Sequence, residues 1–135
     1  MTSEKLIEMA KAAASNAYAP YSDFCVGAAL LCKNGKIYTG CNIENSSFSP
    51  TNCAERTAFF KAVSEGERDF EAIAIVGGKN LDFSDFCYPC GVCRQVISEF
   101  CNGEFRIILG KADGEIIEST LSELLPHGFS SENLR

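Results

Sequence analysis

The chain has 135 residues, 46% of them hydrophobic, and a formal net charge of -6 at pH 7. This length predicts a single domain over residues 1–135 that buries one hydrophobic core. The acidic balance argues against a surface built to neutralise phosphates, so neither nucleic acids nor anionic membranes are expected as partners.

Helical and strand patterns alternate in the first part of the chain. Residues 4–17 carry apolar side chains at helical spacing behind Ser3, which is predicted as the N-cap. Residues 24–32 and 36–41 are two strand-like runs separated by Asn34-Gly35, a spacing typical of a hairpin with a two-residue turn. The polar groups that follow residue 41 are therefore expected at a strand end.

A second helix is predicted from about Cys53 to Gly66, before a short apolar strand at 72–76. An apolar run of this kind is usually a central strand that is covered on both faces. Residues 77–88 are then predicted as an irregular connection, and residues 91–101 as a third helix.

The last part of the chain contains strand patterns at 105–109 and 115–118 and a short helix at 120–125. The linker of residues 110–114 is too short for a parallel crossover, which needs a dozen or more residues, so these two strands are expected to be antiparallel. The whole order predicts an α/β fold with three αβα layers around a mixed five-stranded sheet.

Eight cysteines are many for a chain of this length. The N-terminus shows no signal peptide and no apolar run is long enough to span a membrane, which favours a cytoplasmic protein whose cysteines are thiols rather than disulfides. Five of the cysteines lie in contexts typical of inert, buried or edge thiols: Cys25, Cys32, Cys41, Cys87 and Cys101.

The other three cysteines form a pattern typical of a metal site. Cys90 and Cys93 open the third predicted helix behind Pro89, so both sulfurs are expected on one face of its first turn, and Cys53 supplies a third sulfur. Three protein ligands leave one tetrahedral position of a zinc ion open, as in catalytic sites. Both ligand segments are expected to follow strands in the interior of the sheet, where ligand sites collect.

Three thiolates and one Zn2+ sum to a net charge of -1. Unless this negative charge is offset, it makes a water bound to the zinc less acidic. The amides at the two helix N-termini and the Arg56 guanidinium are predicted to donate to the sulfurs. Glu55 follows Cys53 by two residues, and general acid and base is the role predicted for it. The alternative for Glu55 is a capping box with Asn52 at the start of the helix.

A closed structural zinc site is the alternative to a catalytic one. Its fourth ligand would be Cys87, Cys101 or His127, which is the single histidine of the chain. Such a protein would be a binding module without turnover.

Several segments resemble, in order and spacing, the small homotetrameric zinc-dependent cytidine deaminases: Phe24–Ala28, Asn42–Asn45, Cys53–Arg56, Pro89–Cys93 and Leu124–Phe129. The resemblance implies one Zn2+ per subunit. It also implies hydrolytic deamination of cytidine and 2'-deoxycytidine to uridine and 2'-deoxyuridine, with release of ammonia, as in pyrimidine salvage. Water would attack C4 of the ring at the metal site.

The resemblance assigns roles to single residues as well. Glu55 would take the proton of the water, protonate N3 and then protonate the departing amine. Asn42 and Glu44 would hold the ribose 3'-hydroxyl, whereas Phe24 would pack on the pyrimidine and the Ala54 backbone would contact the base edge. Without the resemblance, Phe24 is explained by core packing, and Asn42 and Glu44 by turn chemistry after a strand.

Neighbouring subunits complete each pocket in this family. Phe129 matches the aromatic residue that reaches across and stacks on the base. Phe48 matches a position that is often tyrosine, so it keeps the packing but lacks the hydroxyl. A polynucleotide deaminase is disfavoured because it would need a basic channel, and a deaminase of a cytosine nucleoside antibiotic is disfavoured by Glu44.

Overall fold

The computed structural model describes all residues from Met1 to Arg135. The elements in chain order are α1 (Ser3–Ala14), β1 (Phe24–Cys32), β2 (Ile37–Cys41), α2 (Ala54–Ser64), β3 (Phe70–Lys79), α3 (Gly91–Phe100), β4 (Arg106–Gly110), β5 (Ile116–Thr120) and α4 (Leu121–Leu124), followed by a short 3-10 helix at Ser131–Leu134. No helix has the length and apolar composition that a membrane crossing requires.

The strands form one mixed sheet in the order β2-β1-β3-β4-β5. β3 and β4 are parallel, and the other neighbouring pairs are antiparallel. The predicted antiparallel pairing of the last two strands is confirmed, because the short linker permits only a reversal of direction. β2 lies at an edge of the sheet, so the prediction that both metal-ligand segments follow interior strands is wrong for the segment that carries Cys53.

Helices cover both faces of the sheet, which confirms the predicted three-layer αβα arrangement. On one face, α1 packs Leu6 and Ala10 against residues that include Ala74 of β3. On the other face, α2 packs Phe59 against residues that include Ile73, also from β3. β3 is thus a central strand buried on both sides, as its continuous apolar run predicts.

β3 is longer than the predicted strand at 72–76, because Gly77 and Gly78 pair with β1 instead of opening the connection. A Cβ at Gly78 would lie 1.7 Å from the Asp82 carbonyl oxygen, and one at Gly77 would lie 2.7 Å from Cys87 Sγ. The following loop therefore packs directly on the backbone of the strand, which requires glycine at both positions.

The ends of α1 differ from the predicted helix at 4–17. Thr2 is the N-cap instead of Ser3, since Thr2 Oγ1 accepts a hydrogen bond from the Lys5 amide at 3.1 Å. The helix ends at Ala14, where the next amides bond three residues back, such as Ala17 to Ala14 at 3.1 Å. The alanine periodicity continues through this tighter turn, so the sequence pattern overestimates the length of the helix at its C-terminal end.

The β1–β2 hairpin has a three-residue loop, not the predicted two-residue turn. The Cys32 amide donates to the Lys36 carbonyl at 2.9 Å, and Gly35 adopts φ +91°. A loop of three residues with a left-handed glycine at its end is a common hairpin solution. The remaining boundaries agree with the predicted ones within two residues.

Candidate metal centre and active site

The three predicted ligand sulfurs lie together at the N-termini of α2 and α3. Cys53 is the N-cap of α2, Cys90 is the N-cap of α3, and Cys93 belongs to the first turn of α3. Sγ of Cys90 is 3.7 Å from that of Cys53 and 3.5 Å from that of Cys93, and all three sulfurs lie within 4.8 Å of one another. Two segments that are 37 residues apart in sequence therefore form one cluster.

The cluster fits zinc in its chemistry and in its spacing. Thiolates are the ligands that zinc prefers in protein sites, and tetrahedral Zn–S bonds of about 2.3 Å place the sulfurs about 3.8 Å apart. No fourth residue joins the group, and Cys87, Cys101 and His127 all lie outside it. The alternative of a closed structural site thus lacks its fourth ligand, and one coordination position is available for water.

Arg56 lies against the cluster. Its Nη2 donates a hydrogen bond to Cys53 Sγ at 3.0 Å, whereas its Nε is buried without an acceptor. Hydrogen bonds from Cys93 and Arg56 lower the pKa of Cys53 to about 5, against the opposing effect of burial. These neighbours therefore favour the thiolate form of Cys53, and Arg56 offsets one negative charge of the cluster.

Glu55 lies in the first turn of α2 and is 4% exposed. Burial raises the pKa of its carboxyl to about 7. The capping box that was the alternative for Glu55 is absent, because Cys53 is the N-cap and Asn52 Nδ2 donates instead to Thr57 Oγ1 at 3.1 Å. A carboxyl that titrates near neutral pH can both accept and return a proton.

A cavity of about 270 Å³ connects Cys53 and Cys90 of the sulfur cluster to the predicted substrate residues. Its wall includes Cys53, Cys90, Ala54, Glu55, Phe24, Asn42 and Glu44. A larger cavity of about 570 Å³ lies beneath the C-terminal tail, but it contains none of these residues. The smaller cavity is therefore the candidate active site.

Two polar residues of this cavity are held by β1 and the loop before it. Asn42 Oδ1 accepts from the Val26 amide at 2.9 Å, and Asn42 Nδ2 donates to the Phe24 carbonyl at 2.8 Å. Glu44 accepts from the amides of Tyr21 at 3.0 Å and Ser22 at 3.2 Å, and also from the Ser22 hydroxyl.

These contacts leave hydrogen-bonding capacity for a ligand. The Asn42 amide retains one N–H and one oxygen lone pair, and the Glu44 carboxylate retains one lone pair on Oε2, since Oε1 already accepts from two amides. Hydrogen bonds to Glu44, the Ser22 hydroxyl first, lower the pKa of its carboxyl, so it is ionised at neutral pH. Both side chains are thus fixed in place and still able to bind a hydroxyl group.

The predicted aromatic residues fall into two groups. Phe24 lines the cavity and is 41% exposed. Phe48 is 76% exposed and Phe129 is 59% exposed, and neither lines the cavity within one chain. Phe48 borders an adjoining cavity of about 370 Å³ that shares Glu44 and Ser22 with the active-site cavity.

Sequence reasoning missed several residues of the cavity wall. Cys87, predicted as inert, and Tyr88 both lie in the wall of the active-site cavity, and Ser22 anchors Glu44. Burial raises the pKa of Cys87 to about 12, so this thiol is neutral at physiological pH. The position of Cys87 and Tyr88 immediately before Pro89 and Cys90 was the signal that could have identified them.

Known proteins share this fold and the sequence that builds the site. The family described as the cytidine and deoxycytidylate deaminase zinc-binding region matches residues 1–109. A cytidine deaminase of Sporosarcina psychrophila is 57% identical over 134 residues, covering 99% of this chain and 96% of that protein. A crystal structure of cytidine deaminase from Burkholderia pseudomallei matches with a TM-score of 0.88 and 46% identity, covering 96% of this chain and 100% of that one.

A second enzyme name occurs at lower similarity. A blasticidin-S deaminase of Bacillus cereus is 36% identical over 75% of this chain and 74% of that protein. The family match includes both ligand segments, and it agrees with the sulfur cluster and the buried carboxyl described above. The chain therefore belongs to the family of cytidine and deoxycytidylate deaminases.

Proposed function

We propose that this protein is a zinc-dependent cytidine deaminase, which hydrolyses cytidine and 2'-deoxycytidine to uridine and 2'-deoxyuridine and releases ammonia. The observation that carries the proposal is one cavity whose wall joins Cys53 and Cys90 of the three-sulfur cluster to the buried Glu55 carboxyl and the anchored Glu44 carboxylate. The high identity to cytidine deaminases over nearly the whole chain supports the same reaction.

Cys53, Cys90 and Cys93 would hold the zinc ion. Bound zinc lowers the pKa of a coordinated water and so supplies the nucleophile of the hydrolysis. Glu55 takes a proton from the attacking water and transfers it to N3 of the base. The same carboxyl then takes the second proton, from the hydroxyl that has been added to C4, and delivers it to the amine as the C4–N bond breaks and the C4 carbonyl forms. One water and one cytidine thus yield one uridine and one ammonia.

The remaining residues of the cavity orient the nucleoside. Glu44 and Asn42 bind the ribose 3'-hydroxyl, Phe24 packs on the pyrimidine, and the Ala54 backbone contacts the edge of the base. Glu44 favours an ordinary nucleoside over a cytosine nucleoside antibiotic, because an ionised carboxylate held by three hydrogen bonds is suited to accept from a sugar hydroxyl.

A homotetramer is part of the proposal. Phe48, which borders the adjoining cavity, and Phe129 are exposed aromatic residues, and contact with neighbouring subunits would bury them. In the tetramer, Phe129 stacks on the base in a neighbouring active site. Light scattering at micromolar concentration tests the assembly: four chains per particle are expected, and a monomeric mass contradicts it.

The proposed location is the cytoplasm. All eight cysteines are free thiols in the structure, which suits a reducing compartment. The zinc ligands also have to remain reduced, since a disulfide between two of them would abolish the metal site.

The variant Glu55→Gln tests the catalytic role. It removes the carboxyl but keeps the side-chain volume, so we expect one zinc per chain, retained nucleoside binding and a loss of turnover of about 100-fold to 10,000-fold. Glu65→Gln is the matched control, because Glu65 is an exposed residue at the other end of the same helix. Near-normal turnover of Glu55→Gln would contradict the assignment.

A further inference from the structure

The C-terminal segment Leu124–Phe129 is held to α3 by side chains that sequence reasoning did not single out. α4 is only four residues long, and the chain after it reaches Phe129, which is 59% exposed. Arg94 and Gln95 follow Cys93 directly in α3, and both donate hydrogen bonds to this segment. The helix that begins with two metal ligands thus also anchors the tail.

The Arg94 guanidinium joins two separate parts of the chain. Its Nε donates to the Pro89 carbonyl at 2.8 Å, and its Nη1 donates to the Leu124 carbonyl at 2.6 Å. Pro89 immediately precedes the ligand Cys90, and Leu124 is the last residue of α4. Because the guanidinium is a rigid planar fork, it fixes the position of one carbonyl relative to the other.

Gln95 extends this connection to the aromatic residue itself. Its Nε2 donates to the Phe129 carbonyl at 2.7 Å. The two contacts lie at either end of the segment from Leu124 to Phe129, so the path of the segment over α3 is set at both ends. Without the Arg94 donor, the Leu124 carbonyl at the end of α4 would accept a hydrogen bond from water, and that bond would not fix the position of the segment.

We propose that Arg94 and Gln95 are positioning residues, which couple the metal-ligand loop to the C-terminal segment and so present Phe129 to the neighbouring active site. This inference rests on the proposed tetrameric deaminase. It assigns to Arg94 and Gln95 a function in substrate binding, although neither side chain lines the active-site cavity of its own chain.

Two variants and one control separate this coupling from a general effect on stability. Arg94→Met and Gln95→Met keep side-chain length but remove the donors, whereas Glu99→Gln changes an exposed residue of the same helix that makes no side-chain hydrogen bond. Hydrogen–deuterium exchange of residues 121–130, zinc per chain, KM and kcat are measured for each tetrameric holoenzyme. Gln95→Met keeps the test available if Arg94→Met does not fold.

Faster exchange in residues 121–130 is expected in both Met variants, with one zinc per chain. KM should rise about tenfold in Arg94→Met, which corresponds to the loss of the one charged hydrogen bond that reaches the C-terminal segment, at the Leu124 carbonyl, while kcat stays within about threefold. Arg94→Lys should restore KM only in part, because an ammonium group lacks the planar fork. The control should match the unaltered protein in all four measurements.

Unchanged exchange in residues 121–130 in both Met variants would overturn the inference. A loss of zinc with an unchanged C-terminal segment would also overturn it, because Arg94 would then serve only the ligand loop. Absence of turnover in the unaltered protein would contradict the proposed function instead. Hydrogen–deuterium exchange of residues 121–130 would then test the coupling by itself: faster exchange in the Met variants supports it, and unchanged exchange refutes it.

Discussion

Replacing Arg56 by glutamine should weaken zinc binding without removing any ligand. The guanidinium donates to Cys53 Sγ at 3.0 Å, and its positive charge, added to the two of zinc, balances three thiolates. Arg56→Gln removes the charge and replaces the guanidinium donor by a shorter, neutral amide. The cluster is then left with one uncompensated negative charge.

The expected size of the effect follows from these contacts. A hydrogen bond to a charged group is worth about 1.5–3 kcal/mol, which corresponds to a factor of about 10–150 in affinity. The buried Nε without an acceptor acts in the opposite direction, because its removal relieves the cost of an unpaired donor. We therefore expect the zinc dissociation constant to rise by a factor near the lower end, about tenfold.

Competition with a chromophoric zinc chelator under reducing conditions measures this change. Arg68→Gln is the control, because Arg68 donates only to the backbone carbonyls of Val63 and Glu67, away from the cluster. An unchanged zinc affinity in Arg56→Gln would refute the proposed charge compensation. A loss of zinc in the control as well would point to a general effect of the substitutions.

Three further perturbations have defined outcomes. Ser22→Ala removes the hydroxyl that donates to Glu44, so KM for cytidine should rise about threefold to tenfold at unchanged kcat. Ser47→Ala is the control, and an unchanged KM in Ser22→Ala would contradict the role of Ser22 in holding Glu44. Cys90→Ala should lose zinc and cooperative unfolding together, and metal analysis that shows full occupancy would exclude Cys90 as a ligand. Burial raises the pKa of Cys101 from 9.0 to about 12, so its contribution to the free energy of unfolding is complete below pH 9 and is lost as the pH rises towards 12. The stability of the unaltered protein relative to Cys101→Ser should therefore fall by up to about 1.4 kcal/mol per pH unit above pH 9, and a constant difference in urea denaturation would contradict the shift.

The order of the helices and strands and the antiparallel pairing of β4 with β5 could be predicted from local patterns and linker lengths. The five-residue linker after β4 restricts the direction of β5, and the apolar run of β3 indicates burial on both faces. The edge position of β2 could not be predicted, because strand order depends on contacts between segments that are distant in sequence. The extension of β3 through Gly77 and Gly78 was missed because glycine pairs usually mark a turn.

The candidate site was predictable where the spacing of residues carries the chemistry. Cys90 and Cys93 share one helical turn, and the neighbours of Cys53 indicate a carboxyl and a guanidinium at the same place. The anchoring roles of Ser22 and Arg94 could not be predicted. Ser22 donates to a residue 22 positions away and Arg94 to one 30 positions away, so neither contact leaves a local sequence pattern. The roles of Phe48 and Phe129 depend on a neighbouring subunit and stay predictions.

The most direct test mixes cytidine with purified, zinc-replete protein. The absorbance is followed at a wavelength at which cytidine and uridine differ, and ammonia is assayed in parallel. We expect stoichiometric conversion of cytidine to uridine with one ammonia released for each cytidine consumed. A protein that holds one zinc per chain and yet leaves cytidine unchanged would contradict the proposed activity.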